Sequence, residues 1–297
     1  MINKNSGGSF IVVRLAGGLG NQLFQFSAAF HLASSNSSVT TSILLDDRFL
    51  KDYEAKHQFE ISFITECFKD VTIGTPRSLF HSLVSRCRIA KILDRHFGKC
   101  HFISSVDQLQ KSLMQSNKFQ HAVFDGYFQH PAILFREDTR NKLRDNLLEK
   151  KTFLINAIKN NRKCVGIHIR RGDYVSSKAA SKVFRTIPIE YYLQALNCFP
   201  EKKQVIVFSD DLELASDFSD RIGGINARQL SLSLEDEFCL LMACDDHVIA
   251  NSTFSWWAAY LGHRPGGRVI SPRSWYCDPA RSASNPLLLP HFELIDV

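Results

Sequence analysis

The run Cys164-Val165-Gly166-Ile167-His168-Ile169-Arg170-Arg171-Gly172-Asp173-Tyr174 brings an imidazole, two guanidiniums and a carboxylate to the end of an apolar stretch. Alternation along Val165, Ile167 and Ile169 reads as a buried strand, which delivers His168, Arg170 and Asp173 to its carboxyl end, where open α/β sheets bind ligands. A guanidinium fork matches phosphate oxygens and always carries charge, so the composition is that of an anion site. The same residues also make a strand end whose arginines pair with Asp173 or other carboxylates. Alone, they do not choose between the two.

Three further turns carry chemistry. Gly17-Gly18-Leu19-Gly20-Asn21-Gln22 joins a strand over 10–15 to a helix running from about Asn21 to about Ala33. It is neither a dinucleotide fingerprint, lacking the third glycine and a matching acid, nor a P-loop, lacking Lys-Ser/Thr. Its glycines still admit a ligand close to the backbone, with Asn21 and Gln22 offering amides at a helix start, although a plain tight turn explains them too. Phe208-Ser209-Asp210-Asp211 ends a strand over 204–208; Asp211 reads as a helix cap, and Asp210 is free to accept N–H groups from guanine or to bond a ribose hydroxyl. Asn251-Ser252-Thr253-Phe254-Ser255-Trp256-Trp257 opens a helix directly after a strand over 247–250. Such a start presents N–H groups and positive dipole to a diphosphate, and its three polar residues exceed what one cap needs. The two tryptophans read as packing.

The elements that must position these turns alternate strand and helix. In the second half, strands at 164–169, 204–208, 227–230 and 247–250 are interleaved with helices near 188–198, 211–219, 235–244 and from 254, which implies parallel βαβ units. The charged, helical 139–163 stretch reads as a link, placing a domain boundary near residue 160. With 297 residues, 44% hydrophobic and 22% charged, the chain suits two α/β domains, 1–160 and 161–297, with a tail that could pack back on the first.

A formal charge of +6, without a basic tail, favours anionic small molecules and does not call for nucleic acid. Eight scattered cysteines form neither a CxxC pair nor a disulfide framework, which fits a reduced cytoplasmic setting. No signal peptide or membrane-spanning stretch is visible. Residues 77–97 combine helical spacing with Arg77, Arg86, Arg88, Lys91 and Arg95; this is a solvated face, or else a peripheral contact with an anionic membrane. No literal Asp-x-Asp is present, so neither a metal nor another cofactor is expected.

In their order along the chain, Gly17-Gly18-Leu19-Gly20-Asn21-Gln22-Leu23-Phe24-Gln25, His168 through Tyr174, Phe208-Ser209-Asp210 and Asn251 through Trp257 closely resemble the α-1,2-fucosyltransferases of glycosyltransferase family 11. Gly126-Tyr127-Phe128-Gln129 and Ser271-Pro272-Arg273-Ser274-Trp275-Tyr276 extend the likeness, while residues 50–120 match nothing. The resemblance implies a GT-B-like α/β architecture, two Rossmann-like domains facing across a cleft, the first on the acceptor side and the second holding GDP-sugar. It implies inverting, metal-independent transfer of L-fucose from GDP-fucose to the 2-OH of a terminal galactose. A silent GDP-sugar binding module and a transferase for another GDP-sugar are the competing readings.

By the same resemblance, Arg170 grips the β-phosphate and His168 with Asp210 reads the guanosine. Asn251, Ser252, Thr253 and Phe254 take the diphosphate, joined in donor binding by Gly18, Gly20 and Gln22. Asn21 lies near the reaction centre. Between Tyr174 and Ile189 there is no acid, which leaves Asp173 as the favoured base. Asp46, Asp47 and Asp125 are alternatives, as is a reaction without a strong base.

Overall fold

The computed structural model describes residues 9–35, 41–48, 50, 57–68, 73–74, 100–114, 121–199, 201 and 203–297. The basic segment 77–97 lies outside them. The chain divides into two compact units, Met1–Arg136 and Glu137–Val297.

The first unit has strands β1 (Ser9–Arg14), β2 (Thr41–Asp46), β3 (Ile73–Gly74), β4 (Cys100–Ile103) and β5 (His121–Phe124). They pair in parallel in the order β3-β2-β1-β5-β4. Every residue of β1 but Arg14 is buried, as a parallel strand covered on both faces requires. The helix Leu19–Ser35 packs Phe26 and Phe30 with Phe68 and Phe135 into an aromatic cluster, ring centroids 4.9–6.2 Å apart.

The second unit has β6 (Cys164–Ile169), β7 (Gln204–Ser209), β8 (Ile225–Asn226), β9 (Asp246–Val248), β10 (Val269–Pro272) and β11 (Phe292–Ile295), all parallel, in the order β11-β10-β9-β6-β7-β8. This is the doubly wound order, with the direction of winding reversing between β6 and β9. Val165, Ile167 and Ile169 pack on one face with Tyr191, Tyr192, Val207, Val248 and Ile270. The alternating residues Gly166 and His168 therefore face the other layer. A Cβ at Gly166 would lie 2.6 Å from Leu241 Cδ1 and 2.9 Å from Cys244 Sγ, so glycine lets the helix Leu234–Met242 approach the strand. Trp256 and Trp257 are fully buried, as packing residues should be, and Trp256 Nε1 donates to Leu287 O at 2.7 Å.

Both halves are thus α/β and Rossmann-like, as a GT-B-type chain demands. Two features differ from the sequence reading. The division falls at Arg136/Glu137 instead of residue 160, because the helices Glu137–Lys150 and Thr152–Lys159 are anchored to the second unit. Arg140 lies over the Tyr260 ring, Lys151 pairs with Glu235 and Asp236 at 3.0 and 2.9 Å, and Lys159 Nζ donates to Ala243 O at 2.7 Å. Residues 227–230 are a 3-10 turn and not a strand, since Asn226 Oδ1 takes the Arg228 N–H and turns the chain. Within the second unit, the carboxyl-terminal strand β11 pairs with β10.

Candidate functional site

At the winding reversal of the second sheet, Arg170 leaves β6 between two carboxylates. Its Nη2 donates to Asp173 Oδ1 at 2.5 Å and its Nη1 meets Asp210 Oδ2 at 2.6 Å. Burial opposes the arginine's charge, yet the two aspartates overcome it and hold its pKa above the ordinary value. Asp210 also accepts the Arg171 N–H through Oδ1 at 2.8 Å. Gly172 has φ +27°, and a side chain there would collide with the Asp210 carboxylate, so glycine is required where the loop closes over Asp210. The Arg170 side chain remains 27% exposed.

His168, on the opposite strand face from the apolar cluster, packs against Phe254 with ring centroids 5.4 Å apart. Burial, and after it the charge of Arg170, pulls its pKa down to about 3, so the imidazole is neutral at working pH. Its Nδ1 is buried without a hydrogen-bond partner. Beyond β9, Ser252 sits in capping conformation before the helix Thr253–Gly262 but its side chain makes no cap hydrogen bond, and the first turn holds no acid. Asn251 is committed elsewhere: buried, it donates from Nδ2 to Arg185 O at 2.7 Å and Trp275 O at 2.8 Å, while its own carbonyl accepts Tyr174 OH at 3.0 Å.

In the first unit, winding reverses between β1 and β5, and the glycine turn lies at that point. Gly17 has φ +74°, and a side chain on it would strike Asn21. Gln25 ties the two strand ends together, accepting from Ala16 N and donating to Gly126 O, both at 3.1 Å. Asn21 Oδ1 accepts from Gln129 Nε2 at 2.8 Å. Fully buried Gln22 donates to Gly17 O at 2.9 Å and Gln58 O at 2.8 Å and accepts the Glu60 N–H at 3.0 Å. Glu60 Oε2 in turn takes the Leu19 N–H at 2.5 Å, so the positive start of this helix already holds a carboxylate.

A family model described as glycosyl transferase family 11 matches residues 7–286. The chain belongs to that family. It is 28% identical to the O-antigen biosynthesis glycosyltransferase WbnK of Escherichia coli, over 90% of this chain and 95% of that protein. It is 27% identical to an α-1,2-colitosyltransferase of Escherichia coli, over 90% and 93% respectively. Solved structures similar to it include the fucosyltransferase NodZ from Bradyrhizobium, at 13% identity and TM-score 0.48 over 86% of this chain and 93% of that one. The apo form of POFUT1 aligns at 13% identity and TM-score 0.49, over 91% and 99%. At TM-scores this low, nothing further rests on the structural likenesses.

In this family 11 glycosyltransferase, β6, β7 and β9 bring His168, Arg170, Asp210, Ser252, Thr253 and Phe254 to one edge of the second sheet. Three residues expected in donor binding also have structural places. Gln22 is sealed and spends its amide on the 57–60 loop, Gly20 lies within the first helix, and Asn251 is a clamp between loops. Asp210 is held by Arg170 and the Arg171 N–H, so its first duty is to shape the arginine loop. The carboxylates considered as base are mostly engaged too: Asp173 by Arg170, Asp46 by Arg48 at 2.6 Å, and Asp125 by Arg14 at 2.7 Å. Asp47 is exposed. His57 and Glu60, from a segment with no motif of its own, lie beside Gly18.

Asp173→Asn is expected to lower transfer by no more than about tenfold, because an amide oxygen still accepts from Arg170 on a partly exposed surface. Abolished transfer with GDP affinity intact would restore Asp173 as the base. Among the described residues, no helix is long and apolar enough to cross a membrane.

Proposed function

We propose that this glycosyltransferase moves L-fucose from GDP-fucose to the 2-OH of a terminal galactose, inverting the donor's β link to an α-1,2 link without a metal ion. One observation carries the donor side. Of the two helix starts at winding reversals, Leu19 is filled by Glu60, whereas Thr253, following β9 beside β6 and its Arg170, has neither a capping side chain nor a first-turn acid. A diphosphate fits the second and is repelled by the first.

Bond breaking at the sugar C1 places charge on the β-phosphate oxygens. Arg170 and the N–H groups of the helix start meet that charge in a preorganised way, the condition under which such contacts accelerate reaction. Neutral His168 offers one donor and one acceptor for a nucleobase or ribose. Asn21, held by Gln129 in the first unit, serves the acceptor side.

The test offers the purified protein a panel of nucleotide sugars with lactose and reads product mass. Product is expected from GDP-fucose, with GDP release dependent on the galactoside. The relative named for α-1,2-colitosyl transfer supports a second reading, transfer of colitose, and product formed with a non-fucose donor alone favours it. GDP binding without acceptor-dependent release would leave a silent binding module. Transfer is expected to persist at its full rate in EDTA, since Arg170 and the helix start supply the positive charge; a strict divalent requirement would overturn that part.

A further inference from the structure

We propose that the second unit carries a binding site for a phosphate-bearing ligand at the amino-terminal edge of its sheet, the edge away from Arg170. A cavity of about 340 Å³ lies there, lined by Lys159, Arg162, Lys163 and Arg264, and Asp245 is the only acid among the described residues that line it. That volume falls in the range of small-molecule sites, about 300–1,000 Å³. β6 separates the cavity from the donor side. Cys164 opens that strand next to Lys163, Arg170 follows its last residue, and 6 extended residues span roughly 20 Å.

Backbone geometry delivers the cations. The helix Thr152–Lys159 ends at Asn160 and Asn161, both left-handed with φ of 45° and 59°, a conformation that asparagine tolerates. The chain turns there, the Arg162 N–H bonding back to Lys159 O at 2.9 Å, and brings Arg162 and Lys163 to the cavity. Arg264 comes from the turn after the helix Thr253–Gly262. The Gly267 N–H closes that turn on Arg264 O at 3.0 Å, and a Cβ at Gly267 would lie 2.7 Å from Asp245 O, so glycine lets the turn pack against Asp245.

The charges do not cancel. Lys159 Nζ donates to Ala243 O at 2.7 Å and to Asp245 Oδ2 at 3.1 Å, and the same carboxylate oxygen accepts the Cys164 N–H at 2.9 Å. The acid is thus spent on Lys159 and the strand start. Arg162, Lys163 and Arg264 are exposed and make no ion pair with a described residue. Cations after helix carboxyl ends suit the dipole, which accounts for Lys159 and Arg264 one at a time. It does not account for three unpaired cations around one cavity. Their surplus charge matches a group with more than one negative charge, and guanidinium forks match phosphate oxygens. Asn156, also on the lining, adds an amide that can bond a phosphate oxygen or a hydroxyl.

Titration calorimetry of the full chain with sodium pyrophosphate, at fixed ionic strength and with GDP in excess to occupy the donor side, tests this. Saturable binding is expected, weakened about tenfold by Arg162→Gln and by Arg264→Gln alike, with the kinetics of transfer and the melting temperature without ligand unchanged. Arg221→Gln, at an exposed arginine outside the cavity, is the control and is expected to bind as wild type. Two single variants keep the test decisive where one of them folds poorly. Absence of saturable binding, or equal affinity in wild type and the cavity variants, overturns the proposal, as does an equal loss in the Arg221 control. Sedimentation with phosphatidylglycerol vesicles, compared with phosphatidylcholine alone, then identifies the source of the phosphate. Vesicle binding that the cavity variants lose points to a lipid headgroup; pyrophosphate binding without it points to a free phosphate compound. Both support the site, and neither measurement depends on sugar transfer.

Discussion

Arg170→Lys is expected to cut kcat/KM for transfer by about 100-fold or more, on the scale of removing one preorganised donor from a developing anion. Lysine keeps the charge and loses the fork. Arg170 uses that fork in two directions at once, Nη2 toward Asp173 and Nη1 toward Asp210, so its guanidinium plane is fixed before any ligand arrives. An ammonium on a flexible stem cannot meet both acids and still present a donor to phosphate. The loop itself should hold, because the Arg171 N–H remains bonded to Asp210 Oδ1 at 2.8 Å. Kinetics with weakened GDP affinity and an unchanged melting temperature is the expected pattern. Wild-type rates would refute the phosphate role.

Asn251→Ala is expected to act the other way, on stability. Its Nδ2 is shared between Arg185 O and Trp275 O, and alanine would leave both carbonyls without that donor. Trp275 O keeps the Arg185 N–H at 3.1 Å, so the loss falls mainly on Arg185 O and costs about 1–3 kcal/mol. For a unit of this size that lowers the melting temperature by roughly 3–8 °C, measurable by calorimetry. Were Asn251 a ligand contact, GDP affinity would fall while the melting temperature stayed in place. The same substitution therefore separates clamp from contact.

The family and the α/β alternation were legible because their signals are local. β6 declares itself through Val165, Ile167 and Ile169, and the anion chemistry through Arg170, which stands at that strand's end whatever the rest of the chain does. The acid-free first turn at Thr253 was legible for the same reason, since cap, dipole and first turn are all sequence neighbours. For Asn251, placed in donor binding by the resemblance, only the fold shows that its Nδ2 turns back to loops at 185 and 275.

Long-range pairings account for what was not legible. The domain boundary moved because Lys151 and Lys159 find their partners on the Leu234–Met242 helix and the turn after it, far along the chain from a segment that looks like a solvated link. Gln22 reads as a ligand amide until the segment 57–60 arrives to saturate it. Glu60 carries no motif, and nothing near it in the chain says that it will sit on the Leu19 N–H 41 residues away.

Sequence alone determined which side chains stand at strand ends, because period-two alternation and helix capping act over a few residues. Tertiary structure alone decided which helix start a distant side chain fills. Strand order put β6 beside β9 and β1 beside β5, and the pairing of distant groups set the Glu60 carboxylate on the Leu19 N–H.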